Sequence, residues 1–259
     1  EYGKGLLESL KTLAEKKPVV VLKGGRSEEG SRAVASHTGA LAGSRNIWDA
    51  AFKQANVQTV TTLEEMISTL SVFSLSPEPR SKRTGIIAIS GGTSVIYTDL
   101  AIENGLEIPR TSPETIARLD PLIEDVGTSL SNPIDLAADY YNFNGLGDII
   151  KIVGEDPNFD SILLEADVHY VHQVASIMNM QDDLHLFWNT MADAGRHVVK
   201  TQKKPVLVAI PEVAYPEPRT MAWNLFTNSG LPVFRNIAES VTALKKVVSY
   251  YDTKRRRSS

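Results

Sequence analysis

The sequence predicts an α/β protein built from parallel sheets with helices on both faces. Two observations carry this. Short apolar runs that read as buried strands alternate along the chain with segments of helical periodicity, and parallel strands are the kind that need helical crossovers. The chain also repeats its own ending: KKPVVVL (Lys16–Leu22) is matched by KKPVLVA (Lys203–Ala209), and ANVQTVTTLEEMISTL runs parallel to SGLPVFRNIAESVTALKKV. In each copy a buried strand leads to a helix, a short strand and a closing helix. The chain therefore reads as two α/β units of one type, the second whole and the first lacking its earlier half.

In order, Tyr2–Lys16 reads as a helix with Leu6, Leu7, Leu10 and Leu13 on one face. Pro18–Leu22 reads as a strand buried on both faces, because a run of valines packs well on a pleated surface. A glycine-rich, polar loop of about twenty residues follows, an uncommon length that is usually functional. Next come a helix over Ile47–Gln54, a strand over Val57–Val60 and a helix opening at Thr61 or Thr62, where Thr62 and Glu65 have capping-box spacing. Residues 1–75 make the incomplete first unit. Two prolines and a cluster of basic residues in SLSPEPRSKRTG mark a solvated connection, with the linker at 76–85.

The second unit spans 86–252. Its strands are expected at Ile86–Ile89, Leu106–Pro109, Ser161–Ala166, Pro205–Ile210 and Val233–Phe234. Its helices are expected at Thr93–Asn104, from Ser112 (N-cap, with Pro113 in the first turn), Asn144–Gly154, Asp183–Thr201, Pro218–Ser229, and finally up to about Tyr251. In the Asp183–Thr201 helix, Leu186, Met191, Ala194 and Val198 are the expected core face. Residues 253–259 read as a disordered basic tail.

Composition narrows the function classes. At 259 residues with 42% hydrophobic and 22% charged residues, the chain is an ordinary globular protein large enough for a sizeable core. A net charge of −4 implies no broad basic surface for nucleic acid. With no cysteine there is no disulfide, thiolate metal site or cysteine nucleophile, and cytoplasm is the default compartment. No apolar run has membrane-spanning length.

The polar loop carries the chemistry. His37 sits between Ser36 and Thr38, followed by Gly39, Ala40, Ala42 and Gly43. A lone loop histidine is more often a hydrogen-bonded surface residue than a catalytic one. Imidazole is nevertheless nucleophilic near neutral pH, and its phosphoramidate passes phosphate onward. Glycine, serine and threonine neighbours offer N–H and hydroxyl donors for phosphoryl oxygens.

The strand KPVVVLKGGRS, the loop ASHTGALAGS and the following AAFKQANVQTVTTLEEMI together resemble the NDP-forming (ADP-forming) acyl-CoA synthetases, relatives of succinyl-CoA synthetase. The resemblance covers Lys17–Leu70 and implies two flavodoxin-like, doubly wound units. It implies that His37 is phosphorylated during turnover, with Ser36, Thr38 and Gly39 at the phosphate. It implies that acyl-CoA, ADP and phosphate are interconverted with a carboxylic acid, CoA and ATP. CoA, ATP or ADP and magnesium would bind at other domains or subunits (a CoA-binding domain and an ATP-grasp domain) in an oligomeric assembly, with no cofactor held by this chain.

Further candidates lie in the second unit. Ser90-Gly91-Gly92 joins an expected strand to a helix N-terminus, an arrangement that binds anions, although an ordinary tight turn reads equally well. It resembles a glycine-rich turn of the same family, which makes Gly91, Gly92, Thr93 and Ser94 candidates for phosphate contact. Asn132 and Asp135, in SNPIDL, resemble a ligand-facing family segment; turn formation is the plainer explanation. Tyr140, Tyr141 and Phe143 read as packing rather than a base-stacking platform. His169 and His172 have one-face helical spacing, but with Asp167 nearby no third metal ligand stands out, and no metal site is assigned. The alternative from another class is a regulatory module that binds CoA metabolites without turnover, as part of an acyltransferase. A transferase centred on His169 and His172 has little else behind it.

Overall fold

A computed structural model describes residues 2–38, 44–89, 91–123, 127–137, 145–212 and 215–258. They fall into two compact units, Glu1–Leu70 with Ser249–Ser259, and Ser71–Val248. Among the described residues no helix is long and apolar enough to cross a membrane.

The first unit runs α1 (Tyr2–Lys16), β1 (Val20–Leu22), α2 (Glu28–Thr38), α3 (Arg45–Gln54), β2 (Gln58–Val60) and into α4 (Leu63–Leu75). β1 and β2 are parallel, with Val20 opposite Gln58 and Leu22 opposite Val60. The expected long loop is a helix over much of its length. Ser27 caps α2, its hydroxyl accepting the Gly30 N–H at 3.0 Å. Glu28 and Glu29 in the first turn complement the helix dipole. β1 is half-buried rather than buried on both faces, with Leu22 exposed, since among the described residues it has one strand neighbour. On α1, Leu7 and Leu10 pack against Phe52, Ala55 and Val57, whereas Leu6 and Leu13 are partly exposed. At the start of α4, the Thr62 hydroxyl accepts the Glu65 N–H at 3.1 Å. Glu65 returns its carboxylate to the N–H of Thr61, one residue earlier than an ordinary capping box would place it.

The end of the last helix, α11 (Ile237–Ser258), belongs with this unit. Tyr250 is fully buried, its hydroxyl donating to Ala14 O at 2.8 Å, and Asn56 Nδ2 donates to Tyr250 O at 3.0 Å. Arg257 donates to Gln54 O at 2.8 Å. The expected disordered tail is thus helical through Ser258. Arg255, Arg256 and Arg257 lie in the last turn, where cations suit the dipole.

The second unit contains β3 (Thr84–Ala88), α5 (Gly91–Glu103), α6 (Pro113–Leu119), β4 (Ile134–Asp135), α7 (Leu146–Glu155), β5 (Ser161–Glu165), α8 (Val168–Met178), α9 (Leu184–Thr201), β6 (Val206–Ala209), α10 (Pro216–Asn228), β7 (Val233–Phe234) and the start of α11. All strand pairs are parallel, in the order β4-β3-β5-β6-β7. Numbered within the unit this is 2-1-3-4-5, the flavodoxin-like order. Leu106–Pro109 forms no strand; Glu107 makes only an isolated bridge with Arg83.

Strands β3, β5 and β6 are completely buried. Met191, Ala194 and Val198 of α9 join the core as expected, but Leu186 points to solvent and the face begins instead with Leu184, Phe187 and Trp188. Leu186 precedes Met191 by five residues, out of phase with a 3.6-residue repeat. The expected solvated connection is tied down at its end. Arg83 Nε donates to Asp160 Oδ2 at 2.8 Å, and Ser81 Oγ to the same oxygen at 2.5 Å. Lys204, buried before β6, donates to Gly154 O and Asp156 O and so fastens the end of α7.

Candidate functional site

His37 is exposed on the last turn of α2, with Ser36 exposed beside it and Thr38 ending the helix. A helix end rather than an open loop therefore presents the imidazole. Gly39 lies outside the described residues, as do Ser90, Tyr140, Tyr141 and Phe143.

In the second unit Gly91, Gly92, Thr93, Ser94 and Asp135 lie at the carboxyl ends of β3 and β4, the edge where open parallel sheets bind ligands. Gly91 and Gly92 open α5 and are exposed, Thr93 is half-buried and Ser94 is buried. The Ser94 hydroxyl has no hydrogen-bond partner among the described residues. Asp135, at the end of β4, is 7% exposed, and a Cβ built on Gly91 would lie 3.1 Å from its Oδ2. The structure thus brings Gly91 and Asp135 together. Burial pushes the Asp135 carboxyl above its ordinary range, opposed by the hydrogen bond it accepts from the Ala137 N–H.

Asn132 has a structural job instead. Its Oδ1 accepts the Ile86 N–H at 2.9 Å, and its Nδ2 donates to Thr84 O and Pro109 O at 2.8 and 2.9 Å. With both ends of the amide engaged by backbone, Asn132 stitches β3 to its neighbours. The Asn132–Pro133 peptide is cis.

Sequence reading missed Glu165, the residue that organises this edge. It ends β5 and is 1% exposed. Its Oε2 accepts the Ile89 N–H at 3.1 Å and the Thr93 hydroxyl at 3.3 Å, and its Oε1 accepts the Tyr97 hydroxyl. One carboxylate therefore holds both sides of the turn from β3 into α5. Burial raises the Glu165 pKa, although the donors from Tyr97, Ile89 and Thr93 pull the other way. Burial, reinforced by the charge of Glu165, likewise raises Tyr97 above the ordinary phenol value. The available signal was a carboxylate closing the apolar run SILLE, since an acid at the end of a buried strand needs partners.

His169 and His172 lie on α8 and both contact the Tyr215 ring, at centroid distances of 5.3 and 4.4 Å. Among the described residues no group of three His, Cys, Asp or Glu is placed to hold a metal ion.

Residues 1–73 match the family described as succinyl-CoA ligase like flavodoxin domain. The chain is 37% identical over 166 residues to the alpha subunit of ADP-forming acetate–CoA ligase II of Pyrococcus furiosus, covering 62% of this chain and 35% of that one. It is 30% identical over 250 residues to the alpha subunit of isoenzyme I of the same organism, covering 96% and 50%. A solved dinucleotide-forming acetyl-coenzyme A synthetase 1 of Ca. Korarchaeum cryptofilum, in complex with phosphate and ADP, superposes with a TM-score of 0.78 at 22% identity, over 98% of this chain and 51% of that one. The chain thus spans about half or less of the length of these relatives. Residues 1–73 thus match the succinyl-CoA ligase like flavodoxin domain, the chain is similar over most of its length to the alpha subunit of an ADP-forming acetate–CoA ligase, and the superposition shows that the fold is shared.

Proposed function

We propose that this chain is the phosphoryl-relay portion of an ADP-forming acyl-CoA synthetase, which reversibly converts acyl-CoA, ADP and phosphate to carboxylic acid, CoA and ATP. Phosphate displaces CoA from the thioester, giving an acyl phosphate at a CoA-binding domain or subunit. The neutral imidazole of His37 attacks phosphorus; an N–P bond forms, the bond from phosphorus to the acyl oxygen breaks, and the carboxylate leaves. A β-phosphate oxygen of ADP, held with magnesium on an ATP-grasp domain, then takes the phosphoryl group. The N–P bond breaks and ATP forms.

The observation that carries this reading is the exposed imidazole of His37 on the last turn of α2, inside the segment that matches the succinyl-CoA ligase like family. Ser36, Thr38 and Gly39 would donate to the phosphoryl oxygens there. The backbone N–H groups of Gly91, Gly92, Thr93 and Ser94 would offer a second set of donors for an oxyanion, supported by the Ser94 hydroxyl, unpartnered among the described residues, and by the Glu165 brace under the turn. Asp135 borders that turn. The assembly would be oligomeric, consistent with relatives that are alpha subunits, and cytoplasm is the compartment we propose for a chain without cysteine.

The test is ATP formation by the whole protein with its CoA-binding and nucleotide-binding partners, supplied with acetyl-CoA, ADP and phosphate. ATP should appear in step with free CoA, and His37→Ala should lower the rate by at least about 10³-fold. Unchanged turnover in His37→Ala would overturn the relay. No turnover in the wild type, with nucleotide bound, would favour a regulatory module.

A further inference from the structure

We propose that the first unit carries a second, separate ligand site: a cleft at the carboxyl ends of β1 and β2 that binds a phosphate ester with a planar body, of the nucleotide class. This does not rest on the phosphohistidine reading. The cleft is shallow and open to solvent, and is lined by Lys23, Arg26, Arg45, Asp49, Trp48 and Phe52, with the end of β2 completing the wall. Its position follows the rule for parallel sheets, whose ligands sit beyond the strands' carboxyl ends.

The lining has two parts with different chemistry. Three cations, of which Lys23 also donates to Gly24 O at 2.7 Å, face one carboxylate, a local excess of positive charge on a chain whose net charge is −4. The carboxylate does little to cancel it. Asp49 meets Arg45 at 3.4 Å with both side chains more than half exposed, a geometry in which ion pairs are weak. Arg26 makes no ion pair among the described residues and is exposed at the cleft, so its planar fork is available to two oxygens of one phosphate.

The second part is aromatic. Trp48 and Phe52 stack at 5.4 Å between centroids, and Lys23 Nζ lies 5.6 Å over the Trp48 ring. Phe52 is buried in the small core of the unit, while Trp48 is only half-buried and lines the opening. An ammonium poised above an indole beside two guanidinium groups suits a ligand with a flat ring at one end and a phosphate at the other. A bare anion would leave the indole unused, and an apolar ligand would leave three cations uncompensated.

The experiment titrates the full chain with AMP, ADP and inorganic phosphate, followed by calorimetry and tryptophan emission. The variants are Lys23→Gln with Arg26→Gln, Trp48→Phe, Arg32→Gln and His37→Ala. The nucleotides should bind saturably and inorganic phosphate at least about tenfold more weakly. The double variant should weaken nucleotide binding by about tenfold or more at unchanged melting temperature, and Trp48→Phe should abolish the emission change. Arg32→Gln, an exposed arginine paired with Glu28 and Glu29, should leave binding unaltered, as should His37→Ala. No saturable binding up to about 5 mM would overturn the site. Equal affinity for inorganic phosphate would overturn the planar body, and loss of binding in His37→Ala would overturn its assignment to this cleft.

Discussion

Gly91 stands so close to Asp135 that a Cβ on the glycine would lie 3.1 Å from the Asp135 Oδ2. Forty-four positions apart in sequence, the two meet because β3 and β4 are parallel neighbours whose carboxyl ends coincide, Ala88 opposite Asp135. The turn into α5 can lie flat against the carboxylate because residue 91 has no side chain. Gly91→Ala should destabilise the protein by about 1 kcal/mol, since the carboxylate must yield a few tenths of an ångström. In an Asp135→Ala background the same change should cost less. Thermal melts of the four proteins form the cycle, and strict additivity would contradict the contact.

Glu165 gives a pH signature. Its folded-state pKa is raised by burial, so the folded protein holds a proton that the unfolded chain has already released. The stabilising contribution of this residue is therefore full below its unfolded value of about 4.3 and is lost as pH rises through the folded value. Glu165→Gln should gain stability relative to wild type as pH rises across that window. Glu165→Ala should lose about 3 kcal/mol, because the Ile89 N–H and the Thr93 and Tyr97 hydroxyls lose their acceptor. Chemical denaturation at a series of pH values separates the two, and parallel curves for wild type and Glu165→Gln would contradict the assignment.

Small residues set the packing of α7 on α9. A Cβ on Gly154 would lie 2.3 Å from Val198 Cγ2 and 2.7 Å from Cγ1, closer than any relaxed contact. Gly154→Ala should cost about 3 kcal/mol, and Val198→Ala in the same chain should recover part of it. A neutral Gly154→Ala in urea denaturation would mean that the helices pack differently.

Tyr250 anchors the end of α11 within the first unit. Tyr250→Phe leaves the Ala14 carbonyl without its buried donor and should cost roughly 1 kcal/mol. Amide exchange should speed up at α1 and around Asn56, and unaltered protection there would contradict the anchoring role.

How much of this could be read beforehand depends on the range of the cause. Four of the second unit's strands and most of its helices follow from apolar runs and period, which are local; β4, only two residues long, does not stand out as an apolar run, and the expected strand at Leu106–Pro109 does not form. The Ser112 cap is likewise local, with its hydroxyl accepting the Thr115 N–H. α2 was missed because its face is weakly apolar and its stability starts from one serine and two glutamates at the first turn. The tail was misjudged because its anchors, Ala14, Gln54 and Asn56, are some two hundred residues away. The same limit applies at the candidate site. Gly91 and Asp135 each stood out on local grounds, whereas Glu165 is defined by partners about seventy residues upstream. Asn132, read as ligand-facing by resemblance and as a turn residue by chemistry, is a backbone staple whose three partners no local pattern announces.

The most direct test of the account is to map phosphate on the whole protein, assembled with its partners and incubated with labelled ATP and magnesium. Acid-labile, base-stable label should appear on the peptide carrying His37, be missing in His37→Ala, and be discharged by ADP. A labelled enzyme whose phosphate sits elsewhere, or no label at all while nucleotide is bound, would contradict the phosphoryl relay through His37.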